Sequence, residues 1–330
     1  MFSVVIPAFN ASATLARAVR SVLRQRGVGL ELIIVDDGST DGCVETVRDI
    51  GDPRLRIVHQ ANLGCSAARN TGIEAASHPW VALLDADDIW LDSHLEELGR
   101  IRTAFPGAGL IGTSEFLVEA GARSARVPQR PSNIRLIPYL AAIARGEPTF
   151  NASSVAILKQ AWDSVGRSDP GCAGPDRELW ARVSLCWPVA VSDRVTTVYL
   201  RAEGSDSDRQ RRQRHGKAVT SLAELSSSVA MLLERYPAAD ASVRRDIDDY
   251  VLRYFDYRLC EAIAFWDPVA LRSLRSLYPG RRLEHRLLLA LASLPGPLAK
   301  RACRIGLLPR AAAQRLQAWW PGESHEVVPL

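Results

Sequence analysis

Four short apolar runs, residues 2–6, 30–35, 55–58 and 80–84, are each bounded by turn residues and separated by longer amphipathic segments. Runs of this length without alternation suit strands buried on both faces. Helix patterns lie between them: 13–26 after a cap at Ser12, 41–50 with a cap at Thr40 or Asp41, 66–76, and 93–104, which opens on the capping box Ser93-His94-Leu95-Glu96. Strands alternating with helices predict right-handed βαβ units and a mainly parallel sheet covered on both faces. The chain from 109 to 201 continues less regularly, with strand patterns at 110–113, 153–158, 188–191 and 195–200 and a helix at 176–186, as in a mixed extension of the same sheet. A polar, charged stretch at 202–215 follows, and from 218 to 320 the pattern is helical, with breaks at Pro237, Pro268, Pro279, Pro295 and Pro309. The expected organisation is one domain over 1–205, a linker over 206–217 and a helical region over 218–330.

In a parallel sheet with helices on both faces, ligands bind beyond the carboxyl ends of the strands. The unusual polar clusters of the first ninety residues all fall there: Pro7-Ala8-Phe9-Asn10, Asp36 to Asp41, and Asp85-Ala86-Asp87-Asp88. Three carboxylates in four positions repel one another. If the fourth strand persists that far, Asp85 and Asp87 share a face. Two hard oxygen ligands suit Mg²⁺ or Mn²⁺, which typically takes one or two carboxylates and fills its shell with water and substrate phosphate. Asp88 then points away and starts the turn into the next helix. Against this stands a solvated acidic turn that caps a helix.

Asp36 and Asp37 exceed what capping requires, and a carboxylate facing the imide edge of uracil would be satisfied by it. Phe9 either packs in the ordinary way or offers a flat surface for a base. Arg69, in Asn62-Leu63-Gly64-Cys65-Ser66-Ala67-Ala68-Arg69-Asn70, lies either on an exposed helix face or toward the sheet end, where it would be a fixed cation for a diphosphate.

The segments VVIPAFNASATLARAVRSVLRQ, ELIIVDDGSTDG, NLGCSAARNTGIEAA, WVALLDADDIW and GPDRELWARV, in this order, resemble the family 2 glycosyltransferases over roughly residues 1–205. The resemblance implies the GT-A fold, a Rossmann-like mixed, mainly parallel sheet. It also implies inverting transfer of a sugar from a nucleotide sugar, most often a UDP-sugar, to a hydroxyl of a glycan or lipid-linked acceptor, in bacterial surface polysaccharide or glycolipid synthesis. By position, Pro7, Phe9 and Asp37 would hold the base with Asp36 beside them in the nucleotide site, and Arg69 would support base and diphosphate. Asp85 would touch ribose or metal, and Asp87 would coordinate Mg²⁺ or Mn²⁺. Asp176 would be the base that deprotonates the acceptor, with Glu178 as fallback. Pro175 stands where relatives often carry Glu. Many relatives carry a His near 201–205 where this chain has none before His215. Arg201 and Ser205 are therefore candidates for the phosphates, and Trp180 for an acceptor contact. Two competing classes are a sugar nucleotidyltransferase, which needs a Gly-rich triphosphate loop that residues 7–10 do not supply, and an inactive homologue serving as an assembly partner.

A net charge of +4 over 330 residues argues against a nucleic-acid partner. The six cysteines show neither CxxC pairs nor zinc spacing, as expected of reduced thiols in the cytoplasm. The N-terminus lacks a basic leader and no apolar run reaches ~20 residues, so neither signal peptide nor membrane span is expected. The sequons at Asn10 and Asn151 then carry no meaning. Between 272 and 320 there are ten Arg or Lys and one acid, Glu284, in a Leu-rich helical pattern ending in Trp319-Trp320. This tail is either a packed helical subdomain or a surface for anionic lipid on the cytoplasmic face of the inner membrane.

Overall fold

The first strand, β1 (Phe2–Ala8), lies between β2 (Leu30–Asp36) and β4 (Trp80–Leu83), and β3 (Leu55–His59) lies outside β2, all parallel. The coordinates are a computed structural model that describes residues 1–119, 124–147, 149–169, 175–201, 212–237, 239–264, 267–277 and 325–329. These residues divide into two units, one comprising 1–139, 148–202 and 323–330 and the other 140–147 and 203–322.

In the first unit the sheet has nine strands among the described residues. Beyond β4 it continues through β9 (Val155–Leu158), β6 (Leu110–Glu119), β10 (Val189–Arg201) and β5 (Ile89–Trp90), and β8 (Ile134–Ile137) also pairs with β10. β9 runs against both β4 and β6, and β5 and β8 run against β10, so the other six strands share one direction. The mainly parallel mixed sheet expected from the sequence is what forms.

Alternation along the strands sends successive side chains to opposite faces. Phe2, Val4, Ile6, Leu32, Ile34, Ala82 and Leu84 meet Leu15, Val19 and Val22 of α1 (Leu15–Leu23) and Leu95 and Leu98 of α4 (His94–Ala104). On the other face, α3 (Cys65–Ala75) approaches Val5 and Val35 so closely at Gly72 that a Cβ there would stand 2.3 Å from Val5 Cγ1. Helices cover both faces, and α3 sits tight on the two strands whose ends carry Phe9 and Asp36.

Local helix signals hold less well. α1 starts at Leu15 with Thr14 at its N-cap, whereas Ser12 donates its N–H to Asp41 Oδ2 at 2.8 Å. The second helix, α2 (Glu45–Arg48), is a single turn begun after Val44, so neither Thr40 nor Asp41 caps it. Ser93 makes no side-chain cap on α4, and the predicted capping box does not form. The strand β5 also intervenes between the acid turn and α4, because Ile89 and Trp90 pair with Val198 and Thr197.

The segment His325–Pro329 forms a strand, β11, antiparallel to β7 (Ser124–Pro128) in a two-stranded sheet of the first unit. A purely helical 218–330 therefore does not describe its end, where Val328 packs among Ile89, Leu91, Val127 and Val198. In the second unit, α8 (Ser227–Arg235), α9 (Ala241–Ala264) and α10 (Pro268–Leu277) are helical. α10 is capped by Asp267, whose Oδ1 accepts from Val269 and Ala270 N–H at 3.1 and 3.0 Å, with Pro268 next in line. Its Leu271 and Leu274 are buried while Arg272 and Arg275 are exposed. The remainder of the basic tail, 278–320, lies outside the described residues. No described helix is long and apolar enough to cross a membrane.

Candidate functional site

The ends of β1 and β2 are tied into one ledge. Asp37 N–H donates to Ala8 O (2.8 Å), Asn10 N–H to Ser39 Oγ (3.1 Å) and Thr40 N–H to Asn10 Oδ1 (2.9 Å). Asn10 adopts φ +49, a conformation Asn tolerates better than most residues. Gly38 has φ +76, and a Cβ there would sit 2.9 Å from the backbone nitrogen of Asn62. The turn therefore requires glycine on both counts. Phe9, 48% exposed, projects from this ledge beside the buried Pro7.

Asp36 ends β2 and Asp37 begins the loop, both buried. Asp36 accepts from Ser39 N–H and lies 3.0 Å from His59 Nδ1. Burial opposes its charge, yet the bonds from Ser39 and His59 hold its carboxyl below the usual range. Asp37 accepts from Gln60 Nε2 (2.7 Å), Leu63 N–H (2.9 Å) and Gly64 N–H (2.8 Å). Its first task is to fold the loop that launches α3, a function that the sequence pattern alone does not display.

Gly64 caps α3 with φ +90, and six residues later Asn70 exchanges hydrogen bonds with the Ser168 backbone, at 2.8 Å to its carbonyl and 3.1 Å from its N–H. Arg69 is thereby placed at the sheet end, not on an exposed helix face, and is 6% exposed. Its guanidinium does not stand as an uncommitted cation for a diphosphate. Nη2 donates to Asp85 Oδ1 at 2.5 Å and Nη1 donates to Asp176 Oδ1. Although burial opposes the charge, the Asp176 and Asp85 carboxylates raise its pKa, so it is cationic at any physiological pH.

β4 ends at Leu83, so the shared strand face expected for Asp85 and Asp87 does not exist; residues 85–88 turn, with Asp88 N–H donating to Asp85 O at 3.1 Å. Asp85 is partly exposed and Asp87 exposed, while Arg17 of α1 reaches the Asp87 carbonyl at 3.4 Å. Asp88 does more than start a turn. It is 1% exposed and its carboxylate accepts from Ser153 Oγ and from Leu200 N–H, the latter at 2.9 Å. Burial, with Asp85 and Asp87 close by, pushes its carboxyl well above the usual range. Ser153 also accepts from Asp85 N–H at 3.0 Å, and is itself set by Asn151, whose Oδ1 caps the 3₁₀ turn Ala152–Ser154. The sequence shows Ser153 only as the end of a sequon, and nothing there marks it or Arg17 as part of the site.

Asp176 stands half-buried in the first turn of α7 (Pro175–Cys186), which follows α5 (Tyr139–Arg145) and α6 (Lys159–Val165) along the chain, and its Oδ1 is engaged by Arg69. Burial pushes its carboxyl above the usual range, opposed by the Arg69 guanidinium and reinforced by Asp85. Glu178 does not share this position. It is 6% exposed and locked to Arg182 of its own helix at 2.6 and 2.8 Å, and Arg182 in turn holds the carbonyls of Val165, Gly166 and Arg167. Trp180, 1% exposed with an edge contact to Phe150, is a core residue and offers nothing to an acceptor. Arg201 ends β10, and its side chain, like all of Ser205, lies outside the described residues. The arrangement thus gathers Asp85, Arg69 and Asp176 into one bridge, with Asp87 in the same turn as Asp85.

Among the described residues no three His, Cys, Asp or Glu side chains converge to close around a metal by themselves. Asp85 and Asp87, in the turn after β4, carry hard oxygen donors of the type that Mg²⁺ and Mn²⁺ take.

Residues 3–101 match the family model described as glycosyl transferase family 2. The chain is 45% identical over 124 residues to the succinoglycan biosynthesis protein ExoO of Rhizobium meliloti, covering 37% of this chain and 35% of that one. It is 35% identical over 97 residues to an Escherichia coli protein named UDP-Glc:alpha-D-GlcNAc-diphosphoundecaprenol beta-1,3-glucosyltransferase WfgD, covering 29% of this chain and 38% of that one. The matches thus span little more than a third of either relative. In fold, the chain superposes on Staphylococcus aureus TarS 1–349 in complex with UDP-GlcNAc with a TM-score of 0.63, 16% identity and coverage of 94% and 93%. It superposes on the mannosyltransferase PcManGT of Pyrobaculum calidifontis, in complex with GDP-Man and Mn²⁺, with a TM-score of 0.59, 16% identity and coverage of 97% and 88%.

Proposed function

We propose that this chain, whose residues 3–101 match the model of glycosyl transferase family 2 and whose fold is that of GT-A glycosyltransferases, is an inverting glycosyltransferase that moves a sugar from a nucleotide diphosphate sugar, UDP-linked, to a hydroxyl of a glycan or lipid-linked acceptor. The observation that carries this is the Arg69 bridge. It sets a half-buried carboxylate, Asp176, against the acid turn at the strand ends, so a proton acceptor and a donor anchor share one site. The donor class follows the ligands of the structural neighbours, UDP-GlcNAc and GDP-Man, and the acceptor class follows the names of the relatives, which concern succinoglycan and a diphosphoundecaprenol-linked sugar.

In this reading Phe9 stacks on the base. Asp37 holds the loop 60–64 that shapes the base slot, with Asp36 behind it. Asp85 and Asp87 would hold Mg²⁺ or Mn²⁺, and such an ion, when bound, stabilises the charge of the departing diphosphate. Asp176 takes the acceptor hydroxyl's proton through the oxygen that Arg69 does not engage, as that hydroxyl attacks opposite the leaving group. Arg17 adds positive charge beside the turn.

The test is a panel of UDP- and GDP-sugars with purified full-length protein in Mn²⁺, Mg²⁺ or EDTA. Nucleotide release from a UDP-sugar only when the divalent ion is present is expected. Release that persists in EDTA rejects the metal assignment, and no release from any member rejects the activity.

A further inference from the structure

Arg69 spends its two terminal nitrogens on carboxylates from elements 91 residues apart in sequence, and this use of the side chain goes beyond donor binding. Its own position is set independently of those carboxylates. Three anchors fix α3: Asp37 on the Gly64 N–H, Asn70 on Ser168, and the close fit of Gly72 against Val5. The guanidinium is therefore a reference point, and the two acids are what it locates.

Asp176 would otherwise sit as an ordinary acid near a helix N-terminus, where the helix field favours it at any of several rotamers. A planar guanidinium holding Oδ1 removes that freedom and leaves Oδ2 outside that bond. The same plane, through its other nitrogen, is joined to Asp85 in the turn that would face the donor.

We propose that Arg69 is a positioning residue that registers the Asp176 carboxylate against the donor-side Asp85, so that acceptor activation and donor binding share one rigid reference. It acts through Asp176 and Asp85, not by contacting the diphosphate. The inference rests on the reading of Asp176 as the proton acceptor.

The conservative variant Arg69→Lys keeps the charge but has one nitrogen, which cannot span two carboxylates in a fork. Two measurements on full-length protein decide the matter: the UDP dissociation constant by calorimetry in Mn²⁺, and steady-state turnover of the UDP-sugar that is active in the panel. Arg69→Lys should leave UDP affinity and KM within about threefold while kcat falls about 100-fold, the loss expected of a base misplaced by an ångström. Because the two residues act as a unit, Arg69→Lys should remove less than about threefold more from Asp176→Asn. If the lysine variant proves unfolded by circular dichroism, Arg69→Ala with millimolar methylguanidinium serves instead, and recovery of kcat without a change in KM is expected.

A tenfold or greater weakening of UDP binding with kcat retained would make Arg69 a diphosphate contact and overturn the proposal, as would failure of methylguanidinium to raise kcat in a folded Arg69→Ala. Asp176→Asn separates this claim from the one beneath it. Retained turnover in Asp176→Asn sinks the base assignment and this proposal together. Lost turnover there with normal turnover in Arg69→Lys sinks this proposal alone.

Discussion

Replacing Gly72 by alanine sets two effects of opposite sign against each other. An alanine in a helix interior gains about 1 kcal/mol over glycine. At this position, however, its Cβ would stand 2.3 Å from Val5 Cγ1, 3.0 Å from Val5 Cγ2 and 3.2 Å from Val35 Cγ2. Carbon atoms settle at about 3.5–4.0 Å, so α3 must retreat by about 1 Å or Val5 must leave its rotamer. Val5 is fully buried in the central strand and stiff at χ1, which makes the helix the element that moves. Overpacking of this kind costs about 1–3 kcal/mol, and a shortfall above 1 Å belongs at the upper end, leaving a net loss of about 1–2 kcal/mol. The retreat carries Arg69, one turn away, off its two carboxylates, so turnover should fall by about 10- to 100-fold. Urea midpoints at constant m-value give the stability and the UDP-sugar panel gives the turnover. The double variant Val5→Ala/Gly72→Ala should recover most of the turnover, because the two side chains contest one volume. A Gly72→Ala protein as stable as the parent and equally active would show that helix propensity wins and that the α3 contact is not what holds Arg69.

His94 is fully buried, stacked on Trp90 at 4.1 Å between ring centroids, with Nδ1 2.8 Å from Thr196 Oγ1, and burial lowers its pKa to about 3. Its folded pKa lies below the unfolded value near 6.5, so stability is fully present above about pH 6.5 and is lost as pH falls toward 3, by about 2 kcal/mol at pH 5. Urea midpoints of His94→Gln should therefore fall less between pH 7.5 and 5 than those of the parent; parallel curves contradict this. Glu178→Gln should keep turnover within about threefold, whereas Glu178→Ala, which strands the buried Arg182, should cost about 3–5 kcal/mol. A hundredfold loss of turnover in a stable Glu178→Gln would instead make Glu178 the base. Phe9→Ala should weaken UDP binding by about 1–3 kcal/mol if the ring stacks on uracil. Unchanged calorimetric affinity would remove Phe9 from the site.

The parallel core was legible because burial on both faces writes itself as short apolar runs, and β1, β2 and β4 are buried as such runs predict; β3 also falls on one but is an outer strand whose residues are only partly buried or exposed, so burial on both faces does not hold for it. Placement of the clusters at strand ends followed from the same pattern. What periodicity could not show is how polar groups partner across long sequence separations. Local sequence gives Asp88 no more than a turn, because its bonds to Ser153 and Leu200 join residues 65 and 112 positions away. Arg69 was legible as a fixed cation, but its partners depend on where α7 begins relative to α3, which no local signal encodes. Glu178 and Trp180 illustrate the converse. Both are near Asp176 in sequence, yet Glu178, two residues on, is turned by the helical period toward Arg182, and Trp180, although on the same face at i+4, is buried against Phe150. β11 is not legible in the sequence because a lone strand needs a partner edge to exist, and that edge lies about 200 residues earlier, in β7.

The measurement that bears most directly on the whole account is a pair of numbers from one variant, Asp176→Asn in the full-length protein: the UDP dissociation constant in Mn²⁺ and kcat with the active UDP-sugar. A carboxamide keeps the size and one acceptor oxygen but cannot take a proton, so affinity should stay within about threefold while kcat drops about 100-fold or more. Full turnover in that variant, or loss of UDP binding with turnover preserved at saturation, would contradict the assignment of Asp176 as the proton acceptor of a glycosyl transfer.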